Sequence, residues 1–522
     1  SDRSVNMMNS KERVALSREL VENSIVYPSI DSWVGYEAVM RDFWNQNITY
    51  AEMAEKVAKL ETMNTDWFDI LTRDAFTHKH NLNISGGSSV MKYYASIGYN
   101  DAKGSAKGES NKQYTANINL SANYNRFSVR FGMQANVSEK KYTPSDVNVI
   151  GYAYNTNRAV PARNEDGSLW HYLRSENDAD QTYDFYPFNI IEDVNNSLFD
   201  INSNQLSLTV GADYKIIDPL KFGLTLSYTT SNTYQDEYHG ENTFAAKILR
   251  KERNGVIKPD KTLLPFGGIL KEDNQRNNSY VVRGQLDFVK FLDKEDIHQV
   301  VAVVGGEISS SRYAGKKQTH YGYVPERGKQ MILVDLSQYS EFAYMLSTSP
   351  ECWGIIKDEL NRMASAYMTL SYNYKDYYMF NINGRIDGSN SFGAASNEKL
   401  LPIWSLSGRW NVKEDILKRA NWVTNLSLRA SFGFQGNMLA QESPRLIIKR
   451  DKMSPTLEEY GSTIYKFPNP HLKWEKTTSM NFTLEFGFLN NRINGTFSYF
   501  YKKTKDAFMN KSVSEINGVE TY

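Results

Sequence analysis

Residues 113–138 read QYTANINLSANYNRFSVRFGMQANVS, and this stretch decides the fold. Tyr114, Ala116, Ile118, Leu120, Ala122 and Tyr124 occupy alternate positions, with Thr115, Asn117, Asn119, Ser121 and Asn123 between them. After Asn125 and Arg126 the alternation resumes: Phe127, Val129, Phe131, Met133, Ala135 and Val137 share one face, and Ser128, Arg130, Gly132, Gln134, Asn136 and Ser138 the other. A period of two places neighbouring side chains on opposite faces of a strand. Two such runs joined by two residues predict an antiparallel hairpin. Each run is about as long as the ~9–11 residues with which a tilted strand crosses a bilayer. Tyr114 and Tyr124 bracket the first apolar stripe as interfacial aromatics do. The other face is Asn, Ser and Thr, which suits a wet lumen. From this hairpin alone a soluble β-sandwich, burying the same stripe against a second sheet, stays open.

Composition narrows the classes. The chain has 522 residues, with 60 basic and 60 acidic side chains, so charge offers no case for nucleic acid or a polybasic membrane patch. Cys352 is the one cysteine, which removes internal disulfides and zinc sites of the CxxC type. Mean hydropathy is −0.55, and no run approaches the ~20 apolar residues of a spanning helix. A barrel escapes that test, because alternation averages out in a hydropathy window. The 34 Tyr residues suit aromatic girdles and also sugar-binding surfaces.

The chain divides into residues 1–66, which read as helical, and 67–522, which read as strands. In the first part Asn9 with Glu12, and Thr49 with Glu52, predict capped helices over Ser10–Glu22 and from Thr49 to about Glu61. Another helix is expected over Trp33–Trp44. From Trp67 onward period-two runs predict about fourteen strands. Their apolar stripes carry no charge. Arg130, Asp213, Lys221, Arg283, Asp287, Arg385, Asp387, Arg409, Arg429 and Glu485 all fall on the opposite face. A charge facing lipid at mid-depth costs about 2–4 kcal/mol, whereas a lumen tolerates it. Connectors alternate in length: 125–126 and 375–376 are among the short ones, and 139–202, 230–277, 310–364, 388–402 and 435–475 are long. Short turns on one side and long loops on the other is the wiring of an outer-membrane barrel, and Greek-key sandwiches do not keep it. The expected fold is therefore all-β, an antiparallel transmembrane β-barrel.

Several segments in order resemble the SusC/RagA family of TonB-dependent outer-membrane transporters of Bacteroidota. They are Met8–Arg13, Asn64–Asp69, His80–Gly87, Lys92–Ser96, Asn383–Ser389 with Phe392–Gly393, Leu428–Gly433 with Gly436–Asn437, Asn469–Thr477 and Phe486–Ile493. The resemblance implies a 22-stranded barrel of which this chain supplies about fourteen strands. It implies a plug, signal sequence and TonB-contacting box preceding Ser1, and further strands following Tyr522. It also implies import of large nutrients, oligosaccharides and glycans ahead of oligopeptides, with TonB and a SusD-like surface lipoprotein as partners in an outer-membrane lipid setting. A passive porin and a secreted soluble glycan-binding β-protein are the alternatives.

No convergent titratable constellation suggests an enzyme, and no cofactor or metal is called for. His78 and His80 share a strand face, and Asn164–Ser168 faintly resembles the start of a calcium loop; a polar strand end and a loop turn are the simpler readings. Trp170, Tyr172, Tyr183, Tyr186 and Phe188, with His171 and Phe185, are candidates for substrate or partner contact in the 139–202 loop, against the alternative that they pack the loop itself. Arg130, Arg385, Asp387, Arg409 and Arg429 are the lumen- or plug-facing candidates, against a register-holding ion network. Pro350–Met363 is expected to be helical, started by Ser349 and Pro350. If the faces are assigned correctly, Ile118→Arg blocks outer-membrane assembly far more than Asn119→Arg. Equal outer-membrane yield of the two variants would contradict the assignment.

Overall fold

The computed structural model describes residues 7–23, 25, 33–177, 183–252, 256–390, 400–437, 446–453, 459–466 and 475–507. Phe392–Gly393 and Asn469–Trp474, which helped carry the resemblance, lie outside the described residues. Helices come first: α1 (Ser10–Glu22), α2 (Gly35–Trp44), α3 (Tyr50–Met63) and a single turn-and-a-half, α4 (Trp67–Leu71). Both capping boxes form, Asn9 with Glu12 and Thr49 with Glu52. Val14, Tyr36, Val57 and Leu60 pack α1 to α3 together and onto Ala159 of a later loop.

The wall strands then follow in chain order. They are β1 (Phe76–Gly87), β2 (Met91–Lys103), β3 (Ser110–Tyr124), β4 (Phe127–Tyr142), β5 (Ser197–Ile217), β6 (Leu220–His239) and β7 (Gly268–Phe291). They continue as β8 (His298–Val324), β9 (Ile355–Tyr374), β10 (Tyr378–Ser389), β11 (Leu400–Asn411), β12 (Val423–Asn437), β13 (Glu475–Phe488) and β14 (Ile493–Lys505). Each pairs antiparallel with its neighbours in sequence, in one continuous meander. In the opening hairpin Tyr124 faces Phe127, and Asn125 adopts φ 50°, a left-handed conformation that Asn accepts. Lys375 and Asp376, in the turn after β9, are also left-handed, at φ 49° and 56°.

One face of this meander carries an exposed apolar belt. Leu82, Ile97, Leu120, Val137, Val210, Leu226, Val282, Val304, Met368, Ile382, Leu406, Phe432, Phe482 and Phe497 supply one large exposed side chain from each strand in turn. Pairing keeps them on one face, as in Val210 opposite Leu226 and Leu226 opposite Val282. Among the described residues no second sheet covers the belt; the remaining sheets are two-stranded hairpins within loops. The sandwich alternative therefore has no partner sheet. A water-exposed patch this extensive is far beyond what a soluble monomer carries.

Several strands run further than the sequence suggests. The period-two run Val300, Ala302, Val304 and Ile308 ends at Ile308, yet its strand continues to Val324, 27 residues in all, roughly 90 Å at ~3.3 Å per residue. The excess lies on the side of the long connectors. There the outward face carries Arg276, Arg312, Lys316 and Arg362 on β7 to β9, in register above the belt. With both faces polar the alternation disappears from the sequence, while the backbone ladder continues. The same extension corrects the expected helix over Pro350–Met363. Helix ends at Trp353, Gly354 turns the chain at φ 90°, and Ile355 onward pairs with β8. Ser349 makes no side-chain cap. The β11–β12 connector does carry a short helix, Val412–Asp415.

Connector parity holds except at two places, the first being 412–422, which lies on the short-turn side yet is as long as 390–399 on the other. At the second, between β2 and β3, only 104–109 intervene on the long-connector side, and α4 closes over them. Thr72 bridges Ala106, and the Arg73 Nε donates to Gly104 O at 3.1 Å. The helices therefore sit on that side too. Trp67, Phe68 and Leu71 of α4 join Val147, Val149, Ala153, Val160, Tyr186, Phe188, Ile190 and Phe244 in one buried cluster that packs the loops.

Asp193 is buried at the edge of this cluster, where its carboxylate accepts from Phe244 N–H at 2.9 Å. Burial pushes its carboxyl up to about 6, outweighing that hydrogen bond. The folded loop thus holds a proton between about pH 4 and 6 that the unfolded loop releases, so its stability falls as pH rises through 6. Hydrogen exchange in 143–196, corrected for intrinsic rates, should show roughly tenfold greater protection at pH 5 than at pH 7. Asp193→Asn should flatten that difference; an unchanged difference would show that another group is responsible.

Candidate functional site

Two places carry polar chemistry: the face of the meander opposite the belt, and the loop assembly on the long-connector side.

On the polar face, charges placed at alternate positions of successive strands meet across the ladder. Arg130 of β4 reaches Asp213 of β5 at 2.9 Å. Lys221 of β6 lies between Asp213 at 3.8 Å and Asp287 of β7 at 3.2 Å. Gln285 donates to Asp287 and accepts from the Tyr367 hydroxyl at 2.9 Å. One rung nearer the long connectors, the Arg283 Nε donates to Glu307 at 2.8 Å. Arg385 lies 3.7 Å from Glu307, donates to Asp387 at 2.7 Å and to the Ser365 hydroxyl at 2.8 Å, and stands over the Tyr367 ring. Further along, Arg409 and Arg429 are directly paired across β11 and β12, with Glu485 of β13 at 3.9 and 3.5 Å.

The structure thus brings Arg385 together with Asp387, and Arg409 with Arg429, while Arg130 belongs to a separate group. Glu307 and Tyr367 join them without having stood out in the sequence; their positions on the same face as Ser309 and Ser365 were the available signal. Each half-exposed pair contributes about 0–1 kcal/mol. The larger effect is geometric, since a slip of one residue would turn every one of these charges toward the belt. Near Arg130, a groove of about 620 Å³ is lined by Lys92, Tyr94, Asn119, Ser121 and Gln134.

In the loop assembly the aromatic candidates divide. Tyr186 and Phe188 are each 2% exposed and pack edge-on against Phe244, at 6.5 and 5.3 Å between rings. The Arg174 guanidinium lies over Phe188 and Phe244 at 4.9 and 4.6 Å. These two rings are inaccessible to a ligand here, because burying them is what joins the hairpin Tyr172–Asn177/Tyr183–Phe188 to α4. Tyr172 packs on the same cluster, 5.8 Å from the Trp170 ring. Tyr183 pairs with Asn177 in the hairpin, and its side chain lies outside the described residues. Trp170 also lines a second groove, of about 630 Å³, with Trp33, Lys56, Met63, Asn164 and Asp166. Lys59 and Glu165 form an ion pair at its rim.

The two motifs set aside in the sequence are also placed. Asn164–Ser168 is a tight turn, with Gly167 at φ 85° and Ser168 donating to Asp166 from both its N–H and its hydroxyl. His78 and His80 do share a face, 3.2 Å apart. His78 uses Nδ1 toward His80 and Nε2 toward Asp101, so the three groups do not converge on one point.

Comparison with known proteins agrees with this geometry. The family described as TonB dependent receptor-like, beta-barrel, matches residues 272–522. TonB-dependent receptor SusC of Bacteroides thetaiotaomicron is 25% identical over 504 residues, covering 90% of this chain and 44% of that protein. TonB-dependent receptor P26 of Formosa agariphila is 23% identical over 462 residues, 87% of this chain and 42% of that relative. The chain thus spans less than half the length of these relatives. Among solved structures, the RagAB peptide transporter superposes with a TM-score of 0.70 at 18% identity, over 100% of this chain and 55% of the matched one. That likeness shows that the meander shares the fold of that structure. Residues 272–522 thus carry a TonB-dependent receptor-like β-barrel domain, and the chain as a whole is similar in sequence to SusC and in fold to the RagAB transporter.

Proposed function

We propose that this chain forms part of the wall and outer loops of an outer-membrane, TonB-dependent importer of large nutrients. The observation that carries the reading is the uncovered apolar belt, one side chain per strand, backed by an ion-paired polar face. The belt meets lipid, the polar face lines the lumen beside a plug, and the short turns lie in the periplasm. The long connectors and α1 to α4 then face outward, where a SusD-like lipoprotein would deliver ligand. We assign oligosaccharides ahead of oligopeptides as cargo, because the groove on that side sets Trp33 and Trp170 among Lys56, Asn164 and Asp166. Trp faces stack on sugar rings, and amide and charged groups bond their hydroxyls.

The experiment expresses the full-length receptor with its lipoprotein in the outer membrane and follows uptake of labelled oligosaccharides and peptides, with and without functional TonB. Uptake that vanishes without TonB is the expected result. Uptake that persists would establish a passive porin, and monodisperse protein in detergent-free buffer would remove both barrel readings. Trp170→Ala should weaken oligosaccharide capture by about tenfold at unchanged membrane yield, a loss of ~1.4 kcal/mol. Full capture by that variant would move the ligand site elsewhere.

A further inference from the structure

At the outward end of β6, Glu237 and His239 lie two residues apart and therefore on the same face of the strand. The turn after β4 brings Asp146 against them. His239 Nε2 is 3.1 Å from Glu237 Oε1 and 3.8 Å from Asp146 Oδ2. One donor atom from each residue lies within 4.8 Å of the other two. Zinc bonds of ~2.0–2.2 Å set tetrahedral ligand atoms about 3.3 Å apart, close to these separations.

The imidazole is 1% exposed, and its Nδ1 has no hydrogen-bond partner. The ring is therefore oriented only through Nε2, on the side of the two carboxylates. Nε2 is hydrogen-bonded to Glu237 Oε1 at 3.1 Å and faces Asp146 beyond it, so a cation entering between the two carboxylates would take the Nε2 lone pair and leave the ring proton on Nδ1. The flanking structure is closely packed. Pro144 and Val147 are buried on either side of Asp146, and the Gly268 backbone lies so close to His239 O that a Cβ there would meet it at 2.2 Å.

We propose that Asp146, Glu237 and His239 bind a divalent transition metal of the zinc class, with water in the fourth position. One imidazole and two carboxylates suit such an ion, whereas calcium would want six or more oxygens. The metal joins the turn after β4 to the end of β6 and so clamps the outer loops to the wall. Lys271 is the competing cation, with its Nζ 2.6 Å from the same Glu237 oxygen. Its side chain is 42% exposed, so it can swing to solvent as the metal enters.

The test uses the full-length receptor in detergent, stripped with chelator and titrated with Co²⁺ as a spectroscopic probe, then with Zn²⁺ in competition. A visible d–d band of tetrahedral intensity at one equivalent is expected, displaced by Zn²⁺ and not by Ca²⁺. Asp146→Asn, at an exposed position, should weaken binding roughly tenfold or more while the melting temperature in chelator stays unchanged. Lys271→Met should tighten it several-fold, which a purely structural ion pair would not do. His78→Ala with His80→Ala should leave the band intact. Absence of the band, its survival in Asp146→Asn, its dependence on His78 and His80, or displacement by Ca²⁺ would each overturn the proposal.

Discussion

The uninterrupted antiparallel ladder is the constraint on which everything else rests. In hydrocarbon no water is available to a free N–H or C=O, so each wall strand must be paired on both edges along its lipid-facing length. Once the ladder is continuous, the pleat allows only two faces. One became the belt and the other the ion-paired surface. Register joins the two. Arg385 can meet Glu307, two strands away, only in the pairing that also sets Ile382 and Ile386 outward. The weak polar contacts therefore matter less for their energy than for penalising every slipped alignment.

This also explains what could be read from the sequence. Where one face met lipid, the alternation of 113–138 was visible residue by residue, and the same grammar located fourteen strands in order. Past the belt it failed. Lys316, Lys317, Gln318 and Thr319 show no period, yet all lie in β8. No partition between two environments exists there, so composition carries no trace of the strand. The helical expectation over Pro350–Met363 failed for the same reason: a polar strand whose pairing is entirely long-range looks locally like an amphipathic helix. Helices α1 and α3 were legible because a capping box is a local signal, complete within four residues.

The site followed the same division. Arg130, Arg385, Asp387, Arg409 and Arg429 could be assigned to a face by counting residues. Their partners could not, because Arg130 finds Asp213 and Arg385 finds Glu307 through register alone. The aromatic cluster was visible as composition, but composition does not separate a ring that waits for a ligand from one that holds a loop. Burial separates them: Tyr186 and Phe188 close against α4, and Trp170 opens on a groove. Asp146 lies more than ninety positions from His239, and no spacing rule links them.

The molecule consequently has two parts with different rules. The belt is interchangeable in detail, since lipid asks only for an apolar side chain at every second position. The outer part, where long strands, loops and α1 to α4 meet, depends on particular residues brought from distant places: Trp67 on Tyr152, Asn189 on Trp170 O, Lys247 on Glu192. Recognition requires such particular surfaces, and a lipid-facing wall has none to offer. Under the proposed function, the discriminating chemistry belongs to the extended strands and loops above the belt. It also accounts for strands far longer than a bilayer requires, because they carry a rigid ladder outward to hold those loops in place.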